Sequence, residues 1–260
     1  MKSAVITINI GTKYAKMAAL TIPTHQAYAQ KIGADFIEIN QVNLPYIDTD
    51  YSAYWAKFEL HKYLDEYDRI IYLDLDTVVL PHCPNLLEVV PESAFGALYE
   101  TDFGLDQTEE ITDHKNKMPD IEWEKDYFNV GVMVMSKCHQ PAFVLTEQCQ
   151  GGKYYPEQTL LNYNVQKLNF AQFHLDGTYN HMFFLNLDNS RREQSNILHY
   201  AAIPQEVREL LIADDLSRFE KGDKPLVAEE LPALIAEKIP GKQFEDFLYQ
   251  LYKDEEIGLS

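Results

Sequence analysis

Ile70-Ile71-Tyr72-Leu73-Asp74-Leu75-Asp76-Thr77 carries an apolar run straight into two carboxylates. Arg69 to Leu73 is apolar after its first residue, which predicts a third strand that is central, parallel and buried on both faces. Buried parallel strands deliver ligand sites at their carboxyl ends. Carboxylates two positions apart can share one cation where the backbone leaves the regular extended form. Hard oxygen ligands of this kind suit Mg²⁺ or Mn²⁺, which keep positions open for substrate phosphates. A strand end whose acids cap a helix or pair with Lys is the plainer reading of the same tripeptide.

Upstream, Ala4 to Ile10 alternates β-branched and apolar residues up to Gly11 and predicts a buried first strand. Tyr14 to Ile32 has helical periodicity interrupted at Pro23 and closed at Gly33. Phe36 to Ile39 predicts a second strand, and Tyr54 to Tyr67 a helix. Strand, helix, strand, helix, strand argues an α/β domain with a mainly parallel sheet. Downstream, strands are expected at Ala94 to Tyr99, Phe128 to Met135, Phe170 to Leu175 and Asn196 to Tyr200, with a helix over Pro156 to Val165. Residues 101–126 are acidic with little periodicity. They read as a solvated loop or as a lid or acceptor wall carrying Trp123 and Tyr127. Beyond Tyr200 come three amphipathic segments, Glu206–Leu216, Ala228–Ile239 and Gln243–Tyr252. A domain over 1–203 with a helical extension over 204–260 follows, the extension packing on the domain or on a second subunit as a homodimer.

The 260 residues carry a formal charge of −19, which sets nucleic acid and anionic membrane surfaces against this chain as partners. A phosphate-bearing ligand would need local positive charge, and a divalent cation supplies it. Three cysteines without a C-x-x-C give no disulfide framework and fit a reducing cytoplasm. The N-terminal apolar stretch is too short for a signal peptide, and no run reaches membrane-spanning length.

Two families place a D-x-D at a strand end. Asp74, Asp76 and Val78 match the D-x-D-x-[TV] of haloacid-dehalogenase-type Mg²⁺-dependent phosphatases, with Asp74 as nucleophile and Asp76 as acid. That motif belongs on a first strand, whereas two strand–helix units precede it here. Five segments in order resemble a different family. They are Ala56-Lys57-Phe58 with the Tyr67–Thr77 strand, Tyr127-Phe128-Asn129-Val130-Gly131, Glu157-Gln158-Thr159-Leu160-Leu161-Asn162, Asn180, and Ile197-Leu198-His199-Tyr200. Across residues 3–200 this set resembles the GT-A glycosyltransferases, most of all glycosyltransferase family 8 and its bacterial relatives. The resemblance implies a Rossmann-like mixed sheet flanked by helices. It implies transfer of a hexose from a nucleotide-diphosphate sugar, a uridine-diphosphate sugar above all, to an acceptor hydroxyl on a glycan, a lipid-linked glycan or a small molecule.

Position by position, the resemblance implies Asp74, Asp76 and His199 as metal ligands, with the imidazole favouring manganese. His199 in isolation would read as an ordinary strand histidine. Thr7, Ile8, Asn9 and Tyr14 match the loop that reads the nucleobase. Leu75 sits between the metal acids. Lys57 matches a basic residue facing the diphosphate or the sugar, against the alternative of a helix-surface lysine. Asn129 and Gln158 match polar residues near the sugar, and Gly131 a point of close backbone approach. Glu157 stands where the family has Asp. The resemblance implies retained anomeric configuration by front-face attack; inversion would need a base such as Glu100, Asp102 or Asp106. One departure stands out. The family follows its His with Gly and Lys-Pro-Trp, while His199-Tyr200 runs into Ala201-Ala202-Ile203-Pro204. Lys224, Arg191 and Arg192 are candidates for the missing lysine, and a protein that binds sugar nucleotides without turnover is a further alternative.

Overall fold

The computed structural model describes residues 1–42, 52–118, 120–145, 154–183, 185 and 187–224. Six strands form the main sheet: β1 (Ser3–Ile8), β2 (Asp35–Ile39), β3 (Arg69–Leu73), β5 (Ala94–Tyr99), β6 (Phe128–Ser136) and β7 (Ala171–His174). Their order is β2-β1-β3-β6-β5-β7. All run parallel except β6, which lies antiparallel between β3 and β5. β3 is therefore central and buried, as its apolar run predicts, but it is parallel to β1 on one side only. An apolar run reports burial on both faces and says nothing of a neighbour's direction.

The chain leaves β1 for β2 on one side and returns to β3 on the other. The crevice at the carboxyl ends of β1 and β3 is thus the switch point where open α/β sheets bind ligands. Side chains alternate along β3: Ile70 and Tyr72 join one apolar cluster, Ile71 and Leu73 the other. The first cluster packs against the helical stretch 52–63 and α6 (Pro156–Lys167), through Phe58, Leu60, Leu160 and Leu161. The second packs against α1 (Ala15–Ile32) through Tyr28 and Ala29.

Three expectations are corrected. α1 is continuous across Pro23, which is exposed, so the missing backbone N–H falls on the solvent side of the helix. Residues 52–63 are not one helix but α2 (Ser52–Trp55), a 3₁₀ turn (Ala56–Glu59) and α3 (Leu60–Tyr63). Residues 101–126 hold α5 (Thr108–Lys117), and Trp123 and Tyr127 are core residues stacked on each other rather than a wall facing solvent. Thr77–Val79 forms a short strand of its own, β4, paired antiparallel with β8 (Ile197–His199) outside the main sheet.

α7 (Gln205–Lys221) lies on the domain: Val207, Leu211 and Ile212 share an apolar cluster with Met17, Ala18, Leu75, Val78 and Leu198. The segments Ala228–Ile239 and Gln243–Tyr252 lie outside the described residues. No helix among those described is long and apolar enough to cross a membrane.

Candidate active site

At the end of β3 the backbone turns. Asp74 N–H donates to Gly131 O at 2.7 Å, which ends the β3–β6 ladder, and Thr77 N–H returns to Asp74 O at 3.1 Å, closing a tight turn over Asp74–Thr77. The chain leaves the turn as β4. Its register sets Thr77 opposite His199, and Tyr200 N–H donates to Asp76 O at 3.0 Å. A three-residue ribbon therefore carries a histidine 123 positions downstream against the carboxylate turn. One ligand atom from each of Asp74, Asp76 and His199 lies within 4.8 Å of the others.

The orientation of His199 is fixed by a chain of hydrogen bonds that begins at a backbone group. Gly131 N–H can only donate, and it donates to Asn129 Oδ1 at 2.8 Å. Asn129 Nδ2 then donates to Glu100 Oε1 at 2.9 Å. Asn180 Nδ2 donates to the same Asn129 Oδ1 at 3.0 Å, which leaves Asn180 Oδ1 to accept from His199 Nδ1 at 2.7 Å. With Nδ1 donating to Asn180, Nε2 is left facing Asp76 Oδ1 at 3.3 Å. A lone pair facing a carboxylate oxygen is repulsive unless a cation or a proton lies between them. The donor set, two carboxylates and one imidazole oriented by an amide, fits a divalent cation.

Gly131 completes this geometry. A Cβ there would stand 2.3 Å from His199 Cε1 and 2.9 Å from Asn129 Oδ1. At this glycine the neighbour that needs the space is the His199 ring.

Two cations flank the acids. Lys57 Nζ is 3.1 Å from Asp74 Oδ1 and almost fully buried, so it is not a helix-surface lysine. Burial alone would lower its pKa, but Asp74 and Glu157 outweigh that and keep the ammonium charged. Tyr72 O–H also donates to Asp74 Oδ1 at 2.5 Å. Arg208, near the start of α7, places Nη1 2.9 Å from Asp76 Oδ2. Burial pushes the Asp76 carboxyl up, but His199 and Arg208 together hold it well below the usual carboxylate range. Arg208 was not legible as a site residue, since an arginine in the first turn of an amphipathic helix carries no signal of what it faces.

The remaining expected residues divide clearly. Gln158 donates to Glu100 Oε1 and accepts from Val130 N–H. Glu157 is buried, which raises its pKa against the pull of Lys57. Thr7 and Asn9 stand at the carboxyl end of β1, and Thr7 Oγ1 and Asn9 Oδ1 are both buried without a partner among the described residues. Tyr14 is half-buried just before α1, and the Leu75 side chain packs into the apolar cluster beside Met17 and Ala18. Arg192 is buried against Asp215 and the Phe183 ring. Lys224 pairs with Glu193 beyond the far end of α7, roughly 20 Å along the helix axis from Arg208.

The family model for glycosyl transferase family 8 matches residues 6–203. The chain belongs to glycosyltransferase family 8. That match, with His199 beside both acids, removes the phosphatase reading of Asp74 and Asp76. Among solved structures, a glycosyltransferase involved in glycosylation of the major capsid of PBCV-1 is 12% identical, with a TM-score of 0.58 over 82% of this chain and 99% of that one. The bifunctional glycosyltransferase WbbM is 13% identical, with a TM-score of 0.52 over 77% of this chain and 46% of that one. These likenesses are of fold, and the family 8 chain has the GT-A architecture. No curated protein sequence matches it.

Proposed function

We propose that the chain is a Mn²⁺-dependent hexosyltransferase of the cytoplasm that takes a uridine-diphosphate sugar as donor. The supporting observation is the hydrogen-bond chain from Gly131 N–H to His199, which turns Nε2 toward Asp76 in a cluster whose third member is Asp74. A bound divalent cation would neutralise charge on the leaving diphosphate. The residues of the chain do the rest. Thr7 Oγ1 and Asn9 Oδ1, buried without partners among the described residues, suit the polar edge of a uracil ring, with Tyr14 beside it. Lys57 brings positive charge to the diphosphate side. Asn129, Gln158 and Glu157 line the sugar side, where Glu100 fixes both amides.

Retention of configuration is supported by the state of the carboxylates after β5. Glu100 accepts from Gln107, Asn129 and Gln158. Asp102 is held by His174 at 2.6 Å, and Asp106 caps Thr108 N–H. None stands ready as a base toward an acceptor, which is what inversion would require. Because Lys-Pro-Trp does not follow His199, a protein that binds sugar nucleotides without turnover is the second reading.

Calorimetric titration of the protein with UDP, with Mn²⁺ and with EDTA, tests the first reading. UDP should bind only with the metal, and Asp76→Asn should remove that binding. His199→Ala should weaken Mn²⁺ affinity about 10- to 100-fold. UDP binding indifferent to EDTA would sink the metal role. Binding without hydrolysis or transfer across a panel of sugar nucleotides would favour the second reading.

A further inference from the structure

We propose that Arg208 of α7 is the second diphosphate-binding cation of this chain, partnered by Asp76 and passed to the donor's phosphates when a divalent cation takes that carboxylate. The assignment rests on the metal-dependent donor reading above. Arg208 is held at two points: Nε donates to Ile203 O at 3.1 Å, and Nη1 faces Asp76 Oδ2 at 2.9 Å. No other acceptor engages the guanidinium among the described residues. Its side chain retains 19% of its exposure, so it is not sealed in the interior. Tyr54, half exposed, feels the charges of Glu157, Lys57 and Arg208 together.

Charge decides what the guanidinium is for. Lys57 neutralises Asp74, and Arg208 neutralises Asp76. Over these four groups, a divalent cation on the two carboxylates brings two positive charges in excess. A sugar esterified to a nucleoside diphosphate carries two negative charges on its phosphates and restores the balance. Metal and diphosphate are each mismatched alone and matched together, so their binding is coupled through Lys57 and Arg208. A guanidinium is suited to the second role, because its planar fork can bridge two phosphate oxygens.

The position of Arg208 is built rather than incidental. Asp215 lies seven residues on, on the same face of α7, where its Oδ2 accepts from Arg192 Nη2 at 2.8 Å and from Tyr200 O–H at 2.6 Å. Tyr200 adjoins His199, so α7 is keyed to the strand that carries the metal histidine. At the helix start, Gln205 donates to Lys13 O and Lys16 pairs with Glu209 at 3.1 Å. The first turn of α7 thus spans from the nucleobase end of the site, beside Tyr14, to the metal acids. The lysine that the family places just after its histidine is absent here, and Arg208 comes from a different element to the same carboxylates.

The test compares Arg208→Gln and Arg208→Lys with wild type in titrations with Mn²⁺, UDP and uridine, alongside Asp76→Asn. Arg208→Gln should weaken UDP binding in Mn²⁺ about 10- to 100-fold and leave uridine binding unchanged. It should not weaken Mn²⁺ binding in the absence of nucleotide, since it removes a competitor for Asp76. Arg208→Lys should recover most of the loss. Equal loss for UDP and uridine would make Arg208 a prop for α7 and overturn the assignment. So would wild-type UDP affinity in Arg208→Gln while Asp76→Asn loses the metal-dependent binding, an outcome that leaves the donor reading intact. Wild-type protein that binds UDP regardless of metal would overturn the donor reading, and this assignment with it.

Discussion

Gly131 has no side chain, yet it sets the state of His199 twice over. Its N–H starts the amide chain that leaves the His199 proton on Nδ1, and its missing Cβ leaves room for the ring. Gly131→Ala should therefore act on both. The added methyl would meet His199 Cε1 at 2.3 Å, and the ring is wedged between Asn180 and Asp76, so it must tilt away from the acids. Mn²⁺ affinity should fall at least about 10-fold, with overpacking costing about 1–3 kcal/mol of stability. A Mn²⁺ titration beside a urea melt checks this, and unchanged metal affinity would mean that His199 does not ligate. At this scale the sequence was legible where the residue type is rare in its setting. Two acids after an apolar strand and a histidine in a short strand stand out from their surroundings. Asn180 was legible as a motif position and Glu100 as a candidate base, but their bonds to Asn129, 51 and 29 positions away along the chain, leave no local pattern.

Elements differ in how much of their role periodicity can carry. β1, β3, β5 and β6 are long apolar runs, and burial on both faces makes such runs plain. α5 escaped notice because its inward stripe is Glu110, Ile111 and His114, which is mostly polar; Glu110 Oε2 accepts from Thr159 O–H at 2.8 Å. β4 is three residues long, too short for any period. α7 was legible as an amphipathic helix, but its register on the domain is set by a buried ion pair that no hydrophobic pattern reports. Arg192 and Asp215 are both fully buried, and Asp215 also accepts from Tyr200 O–H. Removing one partner leaves the other charge uncompensated in a low-dielectric interior. Asp215→Ala should cost about 3–5 kcal/mol, while a paired apolar replacement of Arg192 and Asp215 should recover much of it. Denaturant melts of wild type and the two variants decide the matter; Asp215→Ala as stable as wild type would show that α7 is held by its apolar face alone.

For the molecule as a whole, acid should be more damaging than the net charge suggests. With 41 acidic and 22 basic residues, mild acidification reduces self-repulsion and on that ground alone should stabilise the fold. Three buried histidines oppose it. Burial is the main cause that takes His25, His139 and His181 from 6.5 down to about 4. Between those values the unfolded chain binds protons that the folded chain refuses, so stability is lost as pH falls through the window. Glu100 and Glu157, raised by burial, carry the opposite sign: their contribution is lost as pH rises above the ordinary carboxylate range. His139 isolates the first effect, because it lies far from the acids of the site in sequence and its Nδ1 accepts from Ser136 N–H at 2.9 Å. Protonation would turn that acceptor into a donor facing a donor. In His139→Asn the amide oxygen can still accept from Ser136, but nothing titrates. Each histidine contributes at most about 3 kcal/mol across the window. Unfolding free energies measured from pH 7 to pH 4 should therefore fall less steeply for His139→Asn, by about 1–3 kcal/mol in total. Parallel curves for the two proteins would show that His139 takes up its proton without unfolding the chain.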